Sequence, residues 1–573
     1  MSEQSVSLVI AGSGGAGVIT AGAMLLEAAA CAGWYAYMTR SSGPQIRGGE
    51  AAAMLRLASE PVAGHEDHYH ILAAVDWDNI GRFAAEMPLA SHSIVIGDPG
   101  ESDMPEAIAR AGARAVELPM KGIAKSIPGG RPNMVALGAI AAMIGLPEQA
   151  MLSVLEKTLG RKGAGAIEAS AAAFRAGRSA AADFPTVPQL AVQKIVAGER
   201  WSITGNEATG LGAIRGGVRF VAAYPITPAT EVLEWLAPAL PKVGGMLVQA
   251  EDELASINQI IGASYGGVPA LTATSGPGLA LMTESIGLAV AAEVPIVVAN
   301  VMRGGPSTGI PTKSEQSDLN IAVYGMHGDA PHLVVAPNSI ADCLFTTQWA
   351  VHLAEALQTA AIVLTDQAMG QARAIIRKPA DVSFIARRET ATHFAADVQY
   401  KRYAVTGSGV SPMAIPGVVG GQYTADGLEH NEAGTPSSQA ADHRAQLDKR
   451  LRKLTEHNYG DHWADVEGEG ETAVITWGSA TAAVREALQR LRAGGNRARL
   501  ISMRLLSPAQ PEKFAAAIAG VRRVLIVEQT HSAQFHRYLR AQYDLPAEVR
   551  VLNHPGPLPV RPGAVFDQLV DWT

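Results

Sequence analysis

Phe220-Val-Ala-Ala-Tyr-Pro-Ile-Thr-Pro228 runs from a short β-type stretch straight into a turn stiffened by two prolines. A proline fixes its own φ and biases the preceding residue toward extended backbone, so Pro225 and Pro228 set the Thr227 hydroxyl at the mouth of a sheet. Working outward, β-type stretches recur at 246–249, 270–273, 296–301, 333–335 and 361–364, with helical patterns between most of them. This alternation, which begins near Trp201, predicts a largely parallel sheet with its functional residues at the carboxyl ends of the strands.

Three polar segments fall at such ends. Gln249-Ala-Glu-Asp-Glu253 opens a helical pattern, Thr274-Ser-Gly-Pro-Gly278 turns into another, and Arg303-Gly-Gly-Pro-Ser-Thr-Gly309 follows the strand at 296–301. Glu253 fits two descriptions: a carboxyl in a dry pocket sharing a proton with a ring nitrogen, or a helix-start acid favoured by the dipole. Arg303 presents a charged fork to a carboxylate, or is a surface residue in a turn. Lys313 adds a second cation within loop reach. Together the segments read as a site for an organic cofactor and a small anionic substrate.

The first 190 residues form another α/β pattern. A strand at 6–10 leads into Gly12-Ser-Gly-Gly-Ala-Gly17 and then a helix at 19–32. Gly14 and Gly15 permit close approach of an anion such as the phosphates of a dinucleotide or coenzyme A, with Arg40 and Arg47 as partners. A packing turn is the alternative, since no acidic ribose-binding residue is clearly placed after the second strand. His65-Glu-Asp-His-Tyr-His70 lacks the spacing of a metal site and reads as a solvated turn; no metal ligands are assigned. From about 386 to 468 the pattern weakens into turns and one charged helix at 443–453. A last α/β unit opens at 473–477. The expected division is therefore 1–190, 195–395, a structured connector at 396–467, and 468–573.

Bulk properties narrow the classes. The 573 residues carry a formal charge of −8 and 48% hydrophobic residues, with no long basic tract to meet nucleic acid. No uncharged apolar run reaches bilayer length, and the start MSEQSVSLVIAG enters a strand pattern without a signal-type segment. Neither membrane nor nucleic acid is expected as a partner, and the location is expected to be cytoplasmic. Two cysteines, Cys31 and Cys343, cannot supply the four thiolates of an iron–sulfur cluster.

In order and spacing, these segments resemble the α subunit of 2-oxoacid:ferredoxin oxidoreductases with the γ domain fused ahead of it. The likeness is carried by Tyr224–Pro228, Gln249-Ala-Glu-Asp-Glu-Leu-Ala-Ser256, Thr272-Ala-Thr-Ser-Gly-Pro-Gly278, Arg303-Gly-Gly-Pro-Ser-Thr-Gly-Ile-Pro-Thr312, Glu315-Gln-Ser-Asp-Leu319 and His327-Gly-Asp329. Lys401-Arg-Tyr403, Gly409-Val-Ser-Pro412, Pro416-Gly417 and Val527-Glu-Gln529 extend it. Gly12-Ser-Gly-Gly-Ala-Gly-Val18 and Gly43-Pro-Gln-Ile-Arg-Gly-Gly49 carry it into the γ-like part, where Ala16 replaces a common glutamine.

The resemblance implies a multidomain α/β fold: a γ-type domain, a thiamine-diphosphate pyrimidine-binding domain and a transketolase C-terminal-like domain. It implies thiamine diphosphate at the interface with a separate β subunit, among Tyr224, Pro225, Ile226, Glu253, Thr274 and Ser275. Glu253 occupies the position that bonds the aminopyrimidine, while Thr227 and Arg303 match positions holding the carboxylate of a 2-oxo acid. Coenzyme A captures the acyl group, and electrons pass through a [4Fe-4S] cluster to ferredoxin. The cluster and Mg2+ belong to the β subunit, because this chain also lacks a Gly-Asp-Gly…Asn-Asn motif. The implied assembly is (αβ)2. The fused arrangement and Lys313 favour 2-oxoglutarate, whose second carboxylate needs another cation. Pyruvate, branched-chain or aryl 2-oxo acids are the alternatives, and either reaction direction is open. A transketolase-type thiamine enzyme, a nicotinamide or flavin enzyme and a noncatalytic assembly subunit are the rival classes.

Overall fold

The computed structural model describes residues 5–43, 49–78, 80–192, 199–310, 312–394 and 398–572. The chain divides into two compact units, Met1–Thr204 with Ala372–Ala380, and Gly205–Gln371 with Asp381–Thr573.

The first unit is built on β1 (Ser5–Ser13), β2 (Tyr35–Ser42), β3 (Glu50–Ala58), β4 (Ile71–Ala74), β5 (Ile94–Gly97), β6 (Arg114–Glu117) and β7 (Arg200–Thr204). They lie in the order β6-β5-β4-β1-β3-β2, then a strand from far along the chain, Arg373–Arg377, and finally β7. The interior of β1 is apolar because both its faces are covered. Val6, Leu8 and Ile10 join one buried cluster, and Val9 and Ala11 join the opposite one, as the two-residue period of a strand requires. Two expectations change here. The stretch around Trp201 is the edge strand of this first sheet and pairs antiparallel with Arg373–Arg377; an isolated β run does not reveal which sheet will take it. The segment His65–His70 is packed rather than solvated. Tyr69 is fully buried, Glu66 takes a hydrogen bond from Ser7 and an ion pair from Arg56, and His70 Nδ1 accepts from the Ser7 amide at 3.0 Å.

The second unit holds two sheets. In the larger, β8 (Phe220–Ala223), β9 (Met246–Gln249), β10 (Ala270–Thr274), β11 (Ile296–Met302), β12 (Leu333–Val335) and β13 (Ala360–Asp366) run parallel in the order β12-β13-β11-β10-β8-β9. The strands β10, β11 and β13 are buried along their whole length, so apolar residues dominate them, with Thr272, Thr274, Asn300, Thr365 and Asp366 as buried polar exceptions. With Arg373–Arg377 counted as β14, the smaller sheet comprises β15 (Ala464–Glu467), β16 (Thr472–Trp477), β17 (Arg499–Met503), β19 (Arg523–Glu528) and β20 (Glu548–Asn553), ordered β15-β17-β16-β19-β20. Between β17 and β19, β18 (Leu505–Ser507) crosses over to pair antiparallel with β12. It covers what would otherwise be an open sheet edge.

The connection between the sheets contains the helix Ala440–Thr455. Its Lys449 and Lys453 point inward and are buried, donating to Glu293 Oε1 at 2.7 Å and Oε2 at 3.0 Å. Arg402 is buried beside them and donates to the Glu293 carbonyl.

Candidate active site

The parallel strands of the larger sheet deliver the predicted residues to one rim. Thr227 follows β8, Glu253 follows β9, Thr274 ends β10 with Ser275 next, and Arg303 follows β11. Those strands are neighbours in the order β11-β10-β8-β9. Arg303 Nη1 donates 2.9 Å to the Thr227 carbonyl, which ties the first turn to the last, and its Nε is buried without a partner. Tyr224 is 39% exposed, and Thr227 is also exposed at the mouth.

Glu253 opens the helix Glu253–Tyr265, yet the capping falls to Asp252, whose carboxylate accepts from the Ala255 amide at 2.6 Å. Glu253 itself is 7% exposed, and its carboxylate has no hydrogen bond or ion pair among the described residues. It lies against Gly278: a Cβ there would sit 2.8 Å from Glu253 Oε1 and 2.1 Å from Thr274 Oγ1. Only glycine lets the backbone come this close. The buried Ser275 Oγ also lacks a partner, although Ser275 is the N-cap of the 16-residue helix Gly276–Ala291. A buried carboxylate and hydroxyl with no protein partner, beside a glycine cradle, suit a nitrogen-bearing ring that supplies the missing partners.

The loop after Arg303 folds back on itself. The Gly304 amide donates to the Lys313 carbonyl at 2.9 Å, and Ile310 N donates to the Gly304 carbonyl at 2.9 Å. Lys313 thereby stands at the base of the Arg303 loop, half-buried. The next residues fasten the loop to the smaller sheet. Gln316 and Gln529 exchange hydrogen bonds, with Gln316 N donating to the Gln529 carbonyl and Gln529 N donating to Gln316 Oε1. Gln316 Nε2 donates to the Trp477 carbonyl at 2.9 Å. Glu315 accepts from Ser317 Oγ and from the Gly556 amide, each at 3.1 Å.

Sequence reading missed two residues that the fold brings to this rim. Asn300 is fully buried in β11 and donates through Nδ2 to Asp318 Oδ2 at 2.8 Å. Burial pushes the Asp318 carboxyl up to about 6 against the Asn300 hydrogen bond, with the Glu315 charge adding to the rise and Arg303 opposing it. An asparagine within an apolar strand was one signal, and Asp318 stood in the Glu315–Leu319 segment that carries the family likeness, although without a role assigned to it.

In the first unit, part of the glycine loop is engaged by its own neighbours. Ser13 donates through N and Oγ to Asp76, and the Gly14 amide donates to the Gly49 carbonyl. Gly15 has open space around it at φ 106°, Arg40 is exposed on β2, and Arg47 lies outside the described residues. These residues belong to the first unit and the others to the second.

Residues 211–449 match the model of the pyruvate flavodoxin/ferredoxin oxidoreductase thiamine-diphosphate-binding domain, and residues 7–180 match the pyruvate ferredoxin/flavodoxin oxidoreductase domain. Fold and site thus define a multidomain α/β protein with a thiamine-diphosphate pyrimidine-binding domain and a transketolase C-terminal-like domain. The 2-oxoglutarate:ferredoxin oxidoreductase from Magnetococcus marinus, solved with 2-oxoglutarate, coenzyme A and succinyl-CoA bound, is 35% identical, with a TM-score of 0.91 over 99% of each chain. The 2-oxoglutarate synthase subunit KorA of Methanothermobacter marburgensis is 35% identical over 65% of this chain and 99% of its own length. The 2-oxoacid:ferredoxin oxidoreductase subunit alpha of Saccharolobus solfataricus is 28% identical over 93% of both. The chain belongs to the 2-oxoacid:ferredoxin oxidoreductase family, as an α subunit. No helix among the described residues is long and apolar enough to cross a membrane.

Proposed function

We propose that this chain is the γα-fused subunit of a 2-oxoglutarate:ferredoxin oxidoreductase. The reaction is coenzyme A-dependent oxidative decarboxylation of 2-oxoglutarate to succinyl-CoA and CO2, with two electrons passing singly to ferredoxin. The observation that carries this reading is the buried, unpartnered Glu253 carboxylate in its glycine cradle, on the same rim as Arg303. The substrate is supported by the likeness to the Magnetococcus marinus enzyme along 99% of the chain.

Tyr224, Pro225, Ile226, Glu253, Thr274 and Ser275 hold the aminopyrimidine part of thiamine diphosphate. When bound, that cofactor supplies the electron sink that a 2-oxo acid needs to lose CO2. Glu253 holds a proton against the ring nitrogen, a task for a carboxyl shielded from water. Thr227 and Arg303 orient the substrate carboxylate beside the reacting carbon, with the guanidinium braced by the Thr227 carbonyl. Lys313 takes the second carboxylate of 2-oxoglutarate. In the first unit, Gly14, Gly15, Arg40 and Arg47 contact coenzyme A. The Gly14 amide is already taken by the Gly49 carbonyl, so phosphate binds through the arginines more than through that amide.

A β subunit supplies the diphosphate-binding domain, Mg2+ and the [4Fe-4S] cluster, in an (αβ)2 complex. Support comes from the count of two cysteines, half the thiolates a cluster requires. The proposed division is a γ-type domain (1–190), the pyrimidine-binding domain (195–395, less the strands 200–204 and 373–377 that join the first sheet), a connector (396–467) and the transketolase C-terminal-like domain (468–573), located in the cytoplasm.

The test is reduction of ferredoxin or viologen by the complex co-purified from its own cell, with coenzyme A and a panel of 2-oxo acids. Preference for 2-oxoglutarate supports the reading. Preference for pyruvate, a branched-chain or an aryl 2-oxo acid reassigns the substrate. Turnover of none overturns the assignment.

A further inference from the structure

Asp318 is built into the site in a way that its position in the chain does not explain. It precedes the short helix Leu319–Tyr324 and stands at its N-cap, yet its side chain makes no capping hydrogen bond. The carboxylate turns instead to the start of the helix Gly276–Ala291. A Cβ on Gly276 would lie 2.6 Å from Asp318 Oδ1 and 2.7 Å from Oδ2, so the carboxylate rests directly on the Gly276 backbone. From β11, Asn300 fixes it with the 2.8 Å hydrogen bond, and the Asn300 Oδ1 remains buried without a partner. Two carboxylates therefore flank one turn: Asp318 against Gly276 and Glu253 against Gly278.

The groups around Asp318 are few. Arg303 and Glu315, on the loop following β11, are the charged groups that act on it. The Gly276 turn brings no ionisable side chain, and the helix Gln534–Gln542 meets this segment through the Gln534 amide, which donates to the Ser317 carbonyl and accepts from the Asn320 amide. An arriving carboxylate on Arg303 offsets the one cation that favours the charged form of Asp318, where the Glu315 charge already opposes it.

We propose that Asp318 is a positioning residue that links substrate binding to proton uptake: the carboxylate of a 2-oxo acid seats on Arg303 as Asp318 takes one proton from solvent. The protonated carboxyl keeps the Asn300 hydrogen bond through one oxygen and gains a hydroxyl that donates, matching the unpartnered Asn300 Oδ1. This inference rests on the reading of Arg303 as the substrate-carboxylate residue. The carboxyl titrates at about 6 before substrate arrives, so the proton is taken up near neutral pH. The direction follows from linkage: if the complex binds one more proton than the free enzyme, affinity falls as pH rises, by up to about tenfold per pH unit above the free-state pKa.

The test uses the intact complex. KM for the preferred 2-oxo acid is measured from pH 5.5 to 8.5 for the wild type and for Asp318→Asn, which retains an acceptor for Asn300 but cannot titrate. In parallel, the heat of substrate binding to the wild-type complex is measured in two buffers of different ionisation enthalpy at pH 7. The expected result is a wild-type KM that rises with pH, a flat profile in Asp318→Asn, and a buffer-dependent heat corresponding to uptake of a proton. An Asp318→Asn profile that keeps the wild-type slope overturns the proposal. Binding heats independent of buffer also overturn it, and they need no variant to fold. Turnover with a pH-independent KM removes Asp318's role alone, whereas no turnover of any 2-oxo acid removes the Arg303 reading and this inference together.

Discussion

At the scale of single residues, the rim is set by how closely backbone and carboxylate approach. Gly278→Ala places a methyl group 2.1 Å from Thr274 Oγ1 and 2.8 Å from Glu253 Oε1, so Glu253 must move. A displacement near 1 Å costs on the order of 10²-fold in rate. The expected outcome is a kcat lowered by about that factor in a complex that still assembles, checked by steady-state assay beside a thermal melt. For Arg303→Lys, the fork that reaches the Thr227 carbonyl is replaced by a point charge. KM for the 2-oxo acid is expected to rise about 10- to 100-fold, with the smaller effect on kcat. Thr227, Glu253 and Arg303 were legible because each follows a recognisable strand. Asp318 stood in a quoted segment, but its pairing was not legible: it sits 18 positions beyond Asn300, and nothing in their spacing announces that β11 and a short helix will bring them together.

At the scale of elements, the helix Ala440–Thr455 shows how misleading polarity can be. Lysines at i and i+4 on a highly charged helix suggest a solvated face, yet both are buried on Glu293. Glu293 holds a left-handed φ of 52°, a conformation that costs a non-glycine residue about 1 kcal/mol or more. Its ion pairs hold it there. Replacing Glu293 by Gln leaves two buried ammonium groups with no ion-pair partner among the described residues and is expected to cost about 3–5 kcal/mol in urea unfolding. The pH dependence has a definite sign. Lys453 and Lys449 overcome the effect of burial and hold the Glu293 carboxyl well below its ordinary value of 4.5. Its contribution is fully present above that value and is lost as the pH falls through the lower folded value. Burial brings Lys449 down to about 8 from 10.5, so its charged form is the costly one. Stability is therefore expected to rise between pH 8 and 10.5, by at most about 3 kcal/mol. Urea midpoints across that window should lose part of the rise in Lys449→Met, since burial also lowers the neighbouring Lys453.

At the scale of the molecule, alternating strands and helices made the α/β class legible, and the segments at strand ends made the rim legible. The assignment of strands to sheets was less accessible, because pairing partners lie far apart in sequence. Arg200–Thr204 is paired by a strand about 170 residues later, and Leu505–Ser507 leaves its neighbours to border β12. The same remoteness hides Gln316, whose amide closes a bond to Trp477 across 161 positions. Gln316→Leu strands the Gln529 amide and the Trp477 carbonyl without partners, each at about 1–3 kcal/mol. A lowered melting temperature together with a raised KM for the 2-oxo acid is the expected outcome, since the same loop carries Arg303.

The paired glutamines also bear on how such chains can be recombined. A cut at the apparent boundary near residue 468 treats the last hundred residues as an exchangeable module. Yet Gln529 and Gly556 in that module hold Gln316 and Glu315, which follow the Arg303 loop directly. A hybrid that borrows only the final segment from a relative inherits one half of a handshake, and a substrate grip fitted to neither parent. Moving residues 312–318 with it transfers both halves at once.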